Sequence, residues 1–307
     1  MQLSTSLTFD RAISQMSVTR ERLDKTQMQL AASKEVLKPS DAPEKSATIT
    51  RLNTVIERQQ SYIDTITTVR DKLSQQETAI NSATDVLVRL KELSVQAAND
   101  TNSPKDRQYI AIEVRELRNQ LVSLANTQDV NGSYIFSGSR TGKAAFATDS
   151  SGKLSYQGDM TVSPTPTGDQ RMTDTNRPGT NPFGKLVRVG ADGSQQAVGF
   201  FQSIDEFAAA LDGNDSAGLQ RAVTEMGSLQ ESMSQSQAAI GAAGNTLEAQ
   251  SSLAEETLLR LKGTLSQVQD VDYTDAITKM NKDMLSLEAA QNSFAKISQL
   301  NLFNYIK

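Results

Sequence analysis

LQRAVTEMGSLQESMSQSQAAIGAAGNTLEAQSSLAEETLLRLKGTLSQV, residues 219–268, carries the longest regular pattern in the chain. Leu219, Met226, Met233, Ile240, Leu247, Ala254, Leu261 and Val268 recur at every seventh position. A seven-residue apolar period keeps one face of a helix turned toward a partner helix, so the stretch predicts one long helix in a coiled-coil-like packing.

The same period appears elsewhere. Met16, Leu23, Leu30 and Leu37 form a row near the start, with the small residues Ala12, Thr19, Thr26 and Ser33 beside them. KPSDAPEK then predicts a helix break, because Pro39 and Pro43 disfavour a continuous helix. Asp41 is placed to cap a new helix, with Glu44 at its third position. Ile66, Leu73, Ile80 and Leu87 mark a second helix over about 44–99. NDTNSPKDR reads as a turn, with Ser103 as N-cap and Pro104 at the first helical position. Ile110, Leu117 and Leu124 mark a third helix, about 104–129, and the short turn makes it an antiparallel hairpin with the second. Near the end, after a weak break at QDVDYTDA where Asp272 can cap, Tyr273, Met280, Leu287 and Phe294 hold the seven-residue spacing again.

Between Asn131 and about residue 215 the pattern changes to Gly, Pro, Asp, Ser and Thr, with most of the Phe residues. Short runs, YIF, KLSY, MTV and KLVRV, sit between turn signals, which predicts a β-rich insertion. SIDEFAAALDGND predicts one short helix with Ser203 as cap. The expected fold is therefore mainly α with an inserted β-rich domain. N- and C-terminal halves form a long antiparallel helical rod or coiled coil. The expected domains are 1–43 with 270–307 for terminal coiled-coil assembly, 44–133 with 216–269 for the helical rod, and 134–215 for the outer insertion.

Composition narrows the function. The chain has 307 residues, a formal charge of -5 and no His or Cys. With no basic excess to release phosphate counterions, nucleic acid is not an expected partner. Without thiol or imidazole there is no disulfide framework, Cys/His zinc site, thiol nucleophile or His base. No segment approaches 18 consecutive apolar residues, so no membrane insertion is expected. MQLSTSLTFDRAISQM lacks the basic and apolar regions of a cleaved secretory signal.

The stretch ending in LEAAQNSFAKISQLNLFNYIK, residues 287–307, raises a separate question, because Leu285, Phe294, Ile297, Leu300, Leu302, Phe303 and Ile306 crowd a chain end. Chain ends are usually polar and frayed. An exposed Leu or Phe forgoes about 1.5–3 kcal/mol of burial. Partners on neighbouring copies would recover it. The competing reading is that these residues tuck into the rod as ordinary core.

Three stretches resemble the flagellin family of bacterial flagellar axial proteins. They are ASKEVLKPSDAPEKSATI (32–49), the segment from ELSVQAAND to SYIFSG (92–138), and VDYTDAITKMNKDMLSLEAAQNSFAKISQLNLFNYI (271–306). Within the family, YIFSGSRTGKAAF and the ending SQLNLFNYI resemble the hook–filament junction subgroup. The resemblance implies an extracellular subunit exported by the flagellar type III route without signal cleavage. It implies terminal helices that order on assembly into a homo-oligomeric ring, next to another hook-associated junction protein and flagellin, and an export chaperone. The residues expected at the assembly interface are Met16, Leu23, Leu30, Leu37, Met280, Leu287, Phe294, Leu300 and Phe303.

No catalytic constellation, cofactor site or metal site is expected. SGSRTGKA (137–144) fails as a phosphate loop, with Ser137 and Ala144 at positions that need Gly and Ser or Thr. Asp270, Asp272 and Asp275 lack the Gly and distal Glu of an EF-hand. The alternatives to a junction subunit are filament flagellin itself and a secreted adhesin or tip protein presenting residues 134–214.

Overall fold

Six helices account for most of the chain in the computed structural model, which describes residues 2–149, 153–189 and 193–299. They are α1 (Gln2–Ala32), α2 (Pro43–Ala97), α3 (Pro104–Ala125), α4 (Phe200–Asp212), α5 (Ser216–Gln269) and α6 (Tyr273–Gln299). Between α3 and α4 lie β1 (Phe146–Thr148), β2 (Leu154–Tyr156), β3 (Pro164–Gly168), β4 (Arg171–Asp174), β5 (Lys185–Val189) and β6 (Gln195–Gly199). The fold is mainly α with a β-rich insertion. The chain divides into two compact units, 1–60 with 256–307, and 61–255.

The core of the unit 61–255 follows the seven-residue rows. Ile66, Leu73, Ile80 and Leu87 of α2 are at most 4% exposed, as are Leu219, Met226, Met233, Ile240 and Leu247 of α5. Polar pairs give the helix directions. Lys91 Nζ donates to Gln230 Oε1 at 3.2 Å, and Arg70 Nη1 lies 2.7 Å from Glu248 Oε2, so α2 and α5 run antiparallel here. Arg89 Nε donates to Glu113 Oε1 at 2.7 Å across the α2–α3 hairpin. At the start of α3, Ser103 Oγ accepts from the Asp106 N–H at 3.2 Å and Asp106 Oδ2 accepts from the Ser103 N–H at 3.1 Å. This reciprocal box satisfies two of the donors a helix start leaves open.

The insertion consists of three separate antiparallel hairpins, β1–β2, β3–β4 and β5–β6, with no wider sheet among the described residues. KLSY and KLVRV contain β2 and β5, but YIF and MTV are not strands. Local polar bonds claim the backbone around MTV: Asp159 Oδ1 accepts from the Thr161 N–H, and Asn176 holds Thr161 O and the Ser163 N–H. The short helix also begins earlier than expected. Gly199 is its N-cap, and Ser203 lies buried inside, its hydroxyl donating to Phe200 O at 2.9 Å. Phe200 and Phe201 pull the start forward, because both rings are buried in the core.

SGSRTGKA is a closed turn. Ser139 N–H donates to Asp159 Oδ1 at 2.8 Å, and Gly138, at φ +69°, has no room for a Cβ, which would meet Asp159 O at 2.2 Å. The protein's own carboxylate takes the Ser139 amide, and the Arg140 carbonyl accepts from the Lys143 N–H at 3.0 Å.

Candidate assembly interface

In the unit formed by 1–60 and 256–307, the terminal helices meet along one antiparallel seam. Phe9 and Phe294 pack edge to face with centroids 5.3 Å apart. Arg22 Nη2 lies 3.4 Å from Asp283 Oδ1, and the Ser33 and Tyr273 hydroxyls are 2.5 Å apart. As the position rises along α1, it falls by nearly equal steps along α6, so the two seven-residue rows face each other in register.

Leu23 is 9% exposed, and Met16, Leu30, Met280, Leu287 and Phe294 are half-buried. The small residues beside the α1 row are part of the seam. Thr19 and Thr26 are 5% and 8% exposed, and each hydroxyl donates back to the carbonyl four residues earlier, at 2.9 Å. A buried hydroxyl without a bond would be costly, and this local bond removes that cost.

Leu37 leaves the row. The expected continuation of the first helix ends at Ala32, because Ser33 turns the chain through a left-handed conformation at φ 57°. Lys34 then pairs with Asp270 as an antiparallel bridge. The Glu35 N–H donates to Gln269 O at 2.8 Å and the Val271 N–H to Ser33 O at 3.3 Å. The break after α1 and the break before α6 are therefore joined by backbone bonds. Leu37 sits half-buried in the loop that follows.

Asp41 lies two residues before α2, in that loop. Its carboxylate accepts from Lys25 Nζ at 3.0 Å and from the Lys38 N–H at 3.2 Å, which closes the turn. The Lys25 bond, helped by the Lys38 amide, holds the Asp41 carboxyl below its ordinary pKa. At the second break Asp272 Oδ1 accepts from the Thr274 and Asp275 N–H groups at 2.8 and 3.2 Å, capping α6. Asp275 pairs with Lys279 at 2.5 Å, which raises the Lys279 pKa, and Asp270 accepts from Ser266. Each carboxylate of the acidic DVDYTD run has a local partner.

The pair leaves apolar surface uncovered. On α1, Ile13, Val18 and Met28 are about half exposed; on α6, Ile277, Met284 and Leu285 are 44%, 49% and 68% exposed. The α6 set lies off the Met280–Leu287–Phe294 row, on the flank and far side of the helix. Row spacing brought Met16, Leu23, Leu30, Met280, Leu287 and Phe294 to attention because they face inward. Leu285 breaks the seven-residue rule and is the most exposed of the group. Leu300 and Phe303 lie outside the described residues.

The bacterial flagellin N-terminal helical region matches residues 4–141, and the bacterial flagellin C-terminal helical region matches residues 223–306. Together they span the helical ends and leave out most of the insertion. This chain belongs to the bacterial flagellin family. Among flagellin-family relatives, flagellar hook-associated protein 3 of Escherichia coli (strain K12) is 26% identical over 320 aligned positions, covering 100% of both chains. Among solved structures, FlgL of Xanthomonas campestris superposes with a TM-score of 0.61 at 22% identity, over 71% of this chain and 99% of that one. The flagellar junction protein FlgL of Legionella pneumophila gives 0.60 at 17% identity, over 72% and 99%. The likeness to these solved structures covers about seven tenths of this chain and nearly all of each of theirs. No helix among the described residues is long and apolar enough to cross a membrane.

Proposed function

We propose that this flagellin-family chain is a structural subunit of the bacterial flagellum at the hook–filament junction, with no catalytic role. The observation that carries the reading is the end-to-end alignment with a hook-associated protein 3, insertion included. In this reading residues 1–43 and 270–307 are the assembly domain, 44–133 with 216–269 the helical stem, and 134–215 an insertion outside the assembly contacts. Copies associate as a ring through the terminal helices. One end of that ring meets another hook-associated protein and the other meets flagellin. An export chaperone keeps the terminal helices apart before assembly, and the subunit functions outside the cell.

The geometry supports a mechanism. The α1–α6 seam uses one face of each helix, and the other faces keep Ile13, Val18, Met28, Ile277, Met284 and Leu285 in contact with water. Apolar surface of this kind gains free energy only against another surface. A neighbouring copy supplies one, so the seam residues set the shape of the subunit and the outward residues set its association.

Deletion of the gene tests the reading. Intact hooks without filaments, with free flagellin in the medium, is the expected result. Loss of flagellin altogether would make this chain the filament subunit. Normal filaments would overturn both readings.

A further inference from the structure

Aromatic residues are 5% of the chain, yet Phe146, Tyr156, Phe183, Phe200 and Phe201 meet around one cavity of about 540 Å³ in the insertion. Four of the nine phenylalanines stand in its wall. Phe146 sits 5.1 Å from Phe201 and 5.3 Å from Tyr156, and Phe183 sits 5.3 Å from Phe200, ring centroid to ring centroid. The four phenylalanines are at most 6% exposed, so they form a rigid backing packed on one another, and Leu154, Met160 and Ala197 carry the accessible apolar lining. The volume falls within the roughly 300–1,000 Å³ typical of small-molecule sites.

The edge of the cavity has a different chemistry. Lys153 and Lys185 both line it. Lys153 Nζ donates to Gln202 Oε1 at 2.9 Å, which fixes one ammonium beside the cavity without neutralising it. Lys185, on β5, is exposed, and its ammonium has no carboxylate partner among the described residues. Met160 also lines the cavity and is 71% exposed, an adaptable apolar side chain free to fold over an occupant. An apolar lining on an aromatic backing, beside two ammonium groups, complements a molecule with an apolar body and one negative head. The chain as a whole is acidic, with a formal charge of -5, so this local positive edge runs against the average.

We infer that this cavity binds a small amphiphilic anion, an alkyl or aryl carboxylate of about the size of a medium-chain fatty acid. The apolar body lies against Leu154, Met160 and Ala197 over the phenylalanine backing, and the carboxylate meets Lys185 with Lys153 beside it. The site is independent of the terminal helices and of the junction role.

The test uses the full-length chain, with anilinonaphthalene sulfonate as fluorescent probe and decanoate as competitor. Saturable probe binding at one site per chain, displaced by decanoate, is expected. Lys185→Glu should weaken decanoate several-fold. Ala197→Trp, which places an indole at the cavity lining, should abolish displaceable binding with the melting temperature unchanged. Probe fluorescence that decanoate does not displace would overturn the inference, since the exposed terminal helices alone would then account for it. Decanoate affinity equal to wild type in Lys185→Glu would also overturn it, as would competition that survives in a folded Ala197→Trp.

Discussion

Leu285→Asp separates association from folding. Fully burying a leucine gains about 1.5–3 kcal/mol, and with 68% of Leu285 still exposed, about 1–2 kcal/mol of that remains to be gained on assembly. At tenfold per 1.4 kcal/mol, losing it weakens each contact by roughly 5- to 30-fold. A buried carboxylate adds a desolvation penalty of several kcal/mol, which takes the contact out of use. The monomer feels little, because the replaced side chain stands in water, and the change costs no more than about 0.7 kcal/mol of helix propensity. Leu287→Asp is the contrasting variant. Leu287 shares the half-buried row with Phe294, which packs on Phe9, so a charge there loosens the α1–α6 pair itself. Thermal melting of purified protein and complementation of a deletion strain read the two effects. Leu285→Asp should melt within a degree or two of wild type yet leave flagellin in the medium. Leu287→Asp should lose both the seam and function. Wild-type filament attachment by Leu285→Asp, or a large fall in its melting temperature, would refute the division into inward and outward faces.

Other outcomes follow from particular bonds. Ser103→Ala removes one half of the box at α3 and should cost about 0.5–2 kcal/mol by denaturant unfolding. Arg188 reaches Glu225 Oε1 and Glu206 Oε2, each at 2.5 Å, and the Glu225 side chain is 7% exposed. Arg188→Met leaves that carboxylate buried without its main partner and should cost about 3–5 kcal/mol, while Arg188→Met with Glu225→Leu should recover most of the loss. Burial raises the Glu206 pKa, but hydrogen bonds from Gln202 and Arg188 outweigh it and hold the group below its ordinary 4.5. A depressed carboxyl stabilises the fold above its unfolded pKa, so this contribution should be lost as pH falls below 4.5 and through the folded value. The acid-dependent part should disappear in Glu206→Gln. A double-mutant cycle on Phe9 and Phe294 should give a coupling of about 0.5–1.5 kcal/mol for the edge-to-face pair.

The sequence by itself determined the helices, their long rows and the inserted position of the β-rich region. A seven-residue period survives any change of partner, because it states only that one face avoids water. Leu219 to Leu247 and Ile66 to Leu87 are accordingly buried where their spacing placed them. The Ser103 turn was legible for a similar reason, since capping is a local bond between neighbours three positions apart.

Tertiary structure decided what spacing cannot carry. Leu37 keeps the row's interval but not its helix, because the turn at Ser33 is fixed by Asp270 and Gln269, more than 200 positions away. Ser203 looks like a cap in sequence and lies inside a helix, because two buried phenylalanines extend α4 toward its start. The five-ring cavity was invisible in sequence, its residues being scattered over some 55 positions with no shared period. The division of α6 into an inward and an outward face was hidden for the complementary reason. Leu285 and Leu287 are the same residue type two positions apart, and only the placement of α1 determines which one remains in water.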